Sequence, residues 1–355
     1  MKPLFIRIFI FVAAACLIPV HAEEDAASEA ARQENATGLL EEEVIAHDPV
    51  MIREDGVYYL FTTGPGVTVW SSPDMTHWSR EAPVFPTAPD WAKKEVPGFN
   101  GHIWAPDISF HDGLYYLYYS ISSFGKNESC IGVATAKTLD PDSPEFGWQD
   151  HGIVVQSLPG VHNWNAIDGN LIHDQDGKPY LSWGSFWSGL KLAPLAEDRT
   201  RLAVELDDAI SIASRSSRWS EQLGDQEGHP IEAGRGAIEA PFIIRRGDHY
   251  YLFASTGYCC RGLDSTYRVV VGRSETIEGP YLDRNGLSMM NGGGTLVLES
   301  DEDWNGVGHN GVTRLDGVDY IVYHGYDAST ESGLPKLRID VLQWDQDGWP
   351  FVEAQ

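Results

Sequence analysis

Apolar and polar positions alternate along this chain in short runs, and the runs come in pairs. A β-branched and aromatic stretch reaches a glycine with an acidic neighbour, and a second such stretch follows. HDPVMIREDGVYYLFTTG from His47, APDISFHDGLYYLYYS from Ala105 and AIDGNLIHDQDGKPYLSWGS from Ala166 read this way. So do IEAPFIIRRGDHYYLFAST from Ile238 and HNGVTRLDGVDYIVYHG from His309. The Tyr, Leu and Val runs suit a pleated surface, and Asp-Gly supplies the positive φ values of a tight primed turn, so each unit is predicted to be a hairpin. The turn glycines Gly56, Gly113, Gly177, Gly247 and Gly317 stand 57, 64, 70 and 70 residues apart. Behind several hairpins lies a further strand with a polar turn, as in VTVWSSPDMTHW, IGVATAKTLDPDSPEFGW and VVVGRSETIEGP. That makes roughly four strands per unit with little helical periodicity. Five such repeats predict an all-β fold, a five-bladed β-propeller with four antiparallel strands per blade and an active site at the mouth of the central channel. A length of 355 residues would also allow two or three domains, but the matched period assigns residues 44–355 to one propeller.

Composition narrows the partners. The chain carries 25 Lys+Arg against 52 Asp+Glu, a formal charge of −27, which opposes nucleic acid and anionic surfaces. Twelve Trp and fifteen Tyr suit stacking on a flat neutral ligand such as a sugar, with core packing as the plainer use. Residues 1–22 read as a secretory signal peptide: Lys2 and Arg7 precede an apolar run, and Val20-His21-Ala22 offers a small-residue cleavage site. The apolar Leu17–Val20 after Cys16 argues against lipid anchoring there. A secreted or periplasmic monomer with no membrane contact after signal removal is therefore expected. Residues 23–43, Glu/Ala-rich and free of aromatics, read as an acidic, disordered leader. Cys130, Cys259 and Cys260 then remain, an odd number that excludes full pairing. Metal binding by the adjacent pair is disfavoured, and packing is expected for it.

Candidate chemistry follows from the repeat. Aligned by their hairpins, Asp48, Asp107, Asp168, Glu239 and Asn310 occupy like positions near the start of five inner strands and should ring one mouth of the channel. Crowded carboxylates push their pKa values apart. Two carboxyl groups across a pocket are what glycoside hydrolysis needs, one protonated toward the leaving oxygen and one ionised toward water. Strand capping and metal binding remain open for the same ring. The chain has neither a G-x-S-x-G elbow nor a Gly-rich phosphate loop ahead of a helix.

The motifs H-D-P at 47–49, G-H-I-W-A-P-D at 101–107, N-A-I-D at 165–168, G-S-F-W-S-G at 184–189 and I-E-A-P-F at 238–242 together resemble glycoside hydrolase family 43. Within it they are most similar to the endo-α-1,5-L-arabinanases. C-C-R-G-L-D-S-T-Y at 259–267, V-G-R-S at 271–274 and G-H-N-G at 308–311 extend the likeness. The resemblance implies a secreted hydrolase cutting internal α-1,5 bonds of arabinan with inversion. Asp48 is then the general base, Glu239 the general acid, and Asp168 the residue that raises the pKa of Glu239 and orients it. Inversion implies a base–acid separation of roughly 6.5–9.5 Å, with room for water. It also implies a bell-shaped pH profile. Asp107 is implied to be structural. Gly169 departs from the proline usual after the middle acid, which leaves Asp168 the least fixed of the three.

For sugar contacts the resemblance points to Trp104, Asn165, Ser185, Phe186 and Trp187, with blade packing as the alternative use of each Trp. It also implies one calcium ion in the channel beside His309, an unusual site for an ion that prefers oxygen; no organic cofactor is expected. The partner is a neutral polysaccharide, since acidic galacturonan would be repelled. Rival readings are an exo-acting α-L-arabinofuranosidase or β-xylosidase of the same family, or a non-catalytic carbohydrate-binding propeller.

Overall fold

The computed structural model describes residues 44–215 and 236–353. The expected signal peptide, Cys16 and the acidic leader lie outside them. Four antiparallel sheets follow one another along the chain. Blade I comprises Val50–Glu54, Val57–Thr62, Thr68–Ser72 and Ser79–Arg80, and blade II is built on His102–His111, Leu114–Ile121, Ser129–Ala136 and Gln149–Ser157. Blade III holds Asn170–His173, Pro179–Trp183, Leu190–Pro194 and Ile210–Ala213; blade IV holds Ile238–Arg246, His249–Thr256, Arg268–Ser274 and Thr295–Leu298. Blade V has three strands of its own, Trp304–Leu315, Val318–Asp327 and Pro335–Val341. Its fourth edge comes from the other end of the chain. Ala46 donates its N–H to the Pro335 carbonyl at 3.2 Å, and Leu337 donates to the Val44 carbonyl at 2.9 Å. The ring of blades is thus closed by main-chain bonds between its first and last residues.

The predicted turns form as the sequence implies in three blades. Asp55-Gly56, Asp112-Gly113 and Asp316-Gly317 all have positive φ, and each is a two-residue loop between paired strands. Blade IV turns through Gly247-Asp248 with the glycine first, and blade III needs the wider Asp174–Lys178 loop.

Buried apolar side chains sort into five clusters, each between two neighbouring blades. Tyr116 and Val133 of blade II pack with Leu171 and Trp183 of blade III, for example. Met51 and Leu60 of blade I pack with Val322 and Leu337 of blade V and with Val44. Each fully buried aliphatic or aromatic side chain contributes about 1.5–3 kcal/mol. No blade completes such a cluster alone, so the ring is the unit of stability. The first strands, meanwhile, face one another around the channel.

Candidate active site

Each first strand enters the channel through one residue with left-handed backbone: Asp48, Ala105, Asp168, Ala240 and His309, with φ between 43° and 60°. At four of these positions the N–H is held by a side chain on the second strand of the preceding blade or, for Thr63, one residue past it. Asp48 N–H donates to His324 Nδ1 at 3.1 Å, Ala105 N–H to Thr63 Oγ1 at 2.8 Å, Asp168 N–H to Ser120 Oγ at 3.0 Å and His309 N–H to Ser255 Oγ at 2.8 Å. Blade III breaks the series, because Gly184 stands opposite Ile167 where the others carry Thr63, Ser120, Ser255 or His324. A Cβ at Gly184 would lie 2.6 Å from the Gly189 carbonyl oxygen, so no side chain fits there. Asp168 fills the gap: its Oδ2 accepts from Ala240 N–H at 3.1 Å.

This register corrects the alignment expected from the hairpins. Asp48 and Asp168 sit at the left-handed residue, Glu239 one residue earlier, Asn310 one later and Asp107 two later. Irregular pairing between Trp104 and Asp107, Glu239 and Phe242, and Gly308 and Gly311 shifts the frames. Hence Asp107 does not join the ring. It lies deeper, where its carboxylate accepts from Leu171 N–H at 2.9 Å and Asn170 Nδ2 at 3.3 Å. Burial raises its pKa to about 6 against those bonds, so Asp107 is a buried hydrogen-bond acceptor in this structure.

Asp48, Asp168 and Glu239 are all buried, and the structure brings them together electrostatically. Asp48 Oδ1 lies 2.8 Å from His47 Nδ1 and 2.9 Å from His309 Nδ1, while its Oδ2 accepts from Thr63 Oγ1 at 2.5 Å. Burial would raise the pKa of Asp48, but His309 and His47 outweigh it and hold the carboxyl well below its ordinary range. The reciprocal effect overcomes burial at His309 and raises it to about 9, so this pair is carboxylate and imidazolium. His324, fully buried, is pushed down by burial and by His47, stays neutral and serves as an acceptor.

The opposite corner is built from neutral donors. Glu239 Oε2 accepts from Ser185 Oγ at 2.6 Å and Oε1 from Tyr267 OH at 2.7 Å. Burial raises Asp168 to about 8; His309 opposes this, and the Glu239 and Asp48 carboxylates add to it. A proton therefore resides in this corner at neutral pH.

The other expected residues divide. The Ser185 hydroxyl donates to Glu239 and so positions that carboxyl, which leaves only its acceptor side for the sugar contact anticipated. Asn165 is buried, and among the described residues its Oδ1 has no hydrogen-bond partner. Phe186 and Trp187 are half-buried with φ of 56° and 43°, a strained backbone for two aromatics in succession. Trp104 is half-buried and immediately precedes the left-handed Ala105. His47, Thr63, Tyr267 and His324 carried no role in the sequence reading. His47 and Tyr267 stood inside quoted motifs, whereas Thr63 and His324 gave no signal apart from their place in or just past the second strands.

Cys259 and Cys260 form a disulfide with each other, which corrects the expectation of simple packing, and Cys130 is a buried thiol raised to about 12 by burial. For the implied calcium ion the fit is limited. His309 lines a channel cavity of about 20 Å³ with Asn310, whose buried amide has no partner on either atom among the described residues. These offer one imidazole and one oxygen, so most of a shell there would be water.

The chain matches the family described as glycosyl hydrolases family 43 over residues 43–350. It is 51% identical over 313 residues to the extracellular exo-α-(1→5)-L-arabinofuranosidase of Cellvibrio japonicus, covering 88% of each chain. It is 38% identical to the extracellular endo-α-(1→5)-L-arabinanase 1 of Bacillus subtilis, covering 86% of this chain and 87% of that one. Among solved structures, Cellvibrio cellulosa α-L-arabinanase complexed with arabinohexaose superposes with a TM-score of 0.81 at 50% identity, over 88% of this chain and 96% of that one. An exo-1,5-α-L-arabinanase from a bovine ruminal metagenomic library does so with 0.80 at 45%, over 90% and 99%.

Proposed function

Because the chain belongs to glycosyl hydrolase family 43, we propose that this glycosidase hydrolyses α-1,5-linked L-arabinan with inversion, outside the cytoplasm. The observation that carries the reading is the division of the carboxylates into an ionised corner and a proton-bearing one. Asp48 takes a proton from the attacking water, and Glu239 delivers one to the glycosidic oxygen, its two oxygens fixed by Ser185 and Tyr267. Asp168 acts through its neighbour, holding the Ala240 N–H beside Glu239 while burial keeps a proton on its own carboxyl in the same corner. Asn165 hydrogen-bonds a sugar hydroxyl, while Trp104, Phe186 and Trp187 supply apolar contact. A calcium ion would be held by Asn310 and by His309 as a neutral imidazole, within a water shell, and would then supply the positive charge that the His309 imidazolium supplies without it.

Internal cutting is the mode the motif set implies. Cutting from chain ends is the second reading, favoured by the exo names of the relatives at 51% and 45% identity. Products from linear arabinan decide between them. A ladder of oligosaccharides in the first minutes supports internal cutting, and one short product throughout supports end-directed cutting. A configuration test by NMR of the first-formed sugar checks inversion; retained configuration would overturn that assignment. Absence of hydrolysis on any arabinan would sink the substrate proposal.

A further inference from the structure

The loop from Gly257 to Tyr267 carries the disulfide between adjacent cysteines and ties the two corners of the site together. Tyr267 at its end bonds Glu239, and Tyr258 near its start lies 5.9 Å, ring to ring, from Phe186 on the loop that carries Ser185. Two residues on, the chain has reached the base. Cys260 N–H donates to Tyr326 OH at 2.7 Å, Tyr326 OH lies 3.0 Å from His47 Nε2, and Cys260 Sγ lies 3.7 Å from the same nitrogen. His47 in turn touches Asp48. Cys259 is half-buried and Cys260 exposed, so this bonded pair forms part of the rim over the mouth.

A disulfide between sequence neighbours closes a small ring through their shared peptide. It cannot rearrange as two free side chains would. Its sulfurs are apolar and polarisable, and once bonded to each other they are neither thiolate nucleophiles nor metal ligands. A furanose presents C–H groups on its face and hydroxyls at its edge. A rigid apolar plate matches that face and loses little freedom on binding.

We propose that the Cys259–Cys260 disulfide is a substrate-contacting wall, a preformed plate for the arabinofuranosyl unit on the base side of the cut. This rests on the arabinan reading above. The side follows from His47: water activated by Asp48 attacks the anomeric carbon of that unit, and the plate adjoins the same histidine. The contact is made alike before and during bond breaking, so it governs binding more than turnover.

The test compares the intact protein with a Cys259→Ser/Cys260→Ser variant on arabinohexaose. The expected result is a rise in KM on the order of tenfold, the size of a lost apolar contact, with kcat within about twofold. In a Glu239→Gln background, calorimetric Kd for arabinohexaose should weaken by the same factor. An unchanged KM and Kd, or a fall in kcat at constant KM, overturns the plate. If the double variant fails to fold, reduction of the native protein with a phosphine replaces it: KM should rise and recover on reoxidation, and a KM indifferent to reduction is the overturning result. Hydrolysis by the unmodified protein judges the substrate reading, whereas the ratio between proteins judges the disulfide.

Discussion

Two corners of one channel mouth use the same functional group for opposite ends. At Asp48 the neighbours are His309, His47 and the Thr63 hydroxyl, so the carboxylate stays charged despite burial. At Glu239 the neighbours are two neutral hydroxyls, Ser185 and Tyr267, and a second acid, Asp168, that burial drives toward its protonated form. Burial is common to both, so the partners decide the charge. An imidazolium in contact keeps a buried carboxylate charged, whereas a corner of neutral donors lets burial keep a proton on Asp168.

The sharpest way to break this contrast is to remove its poles. Asp48→Asn and Glu239→Gln should each lower kcat/KM by about 10²–10⁴-fold, the range for general acid–base groups, with Tm little changed. A variant of either that keeps near-full activity would undo its assignment. A smaller blow is to remove the cation. The unaltered enzyme should keep kcat/KM level through mild acid, because Asp48 is ionised below its ordinary range, and lose activity as pH rises through about 8, where Asp168 releases its proton. His309→Gln leaves only His47 to oppose burial at Asp48, so the acid limb should move to higher pH; an acid limb that stays put would show that His309 does not set it. Milder again, Tyr267→Phe removes one of two donors to Glu239 and should cost about tenfold in kcat, as one hydrogen bond to a charged group does. An unchanged kcat would mean Ser185 suffices.

The smallest effect lies below the mouth and concerns stability alone. Asp107 has a folded pKa near 6 against an ordinary 3.8, so the fold binds its proton more tightly than the open chain does. Its contribution is most favourable below about 4 and is lost as pH rises to about 6. Thermal melts should therefore show Tm falling across that window in the native protein and a flatter course in Asp107→Asn. Equal slopes would place the titration elsewhere.

Much of this was legible in the chain before any geometry. Asp-Gly turns and paired Tyr/Leu/Val strands mark five hairpins because the turn chemistry is local. Asp48, Asp168 and Glu239 stood out through their motifs, and the structure buries all three within electrostatic reach of one another. Their relative frames were not legible, since a bulge adds a residue to one strand without marking it in composition, and so Asp107 looked level with the other acids. The acceptor series of Thr63, Ser120, Ser255 and His324 joins different blades, and such pairings are set only on assembly. The disulfide escaped because an odd cysteine count argues against a full set, not against a bond between immediate neighbours.

The closure of blade V by Val44–Ala46 has a bearing on how the molecule comes into being. Asp48 follows that edge directly, yet its imidazole partners His309 and His324 belong to the blade made last. During synthesis the base waits for almost the whole chain to emerge. A shortened product lacking blade V would carry Asp48 and Glu239 together and still lack both the latch and the imidazolium. Arrival of blade V thus completes both the latch and the charged partner of Asp48.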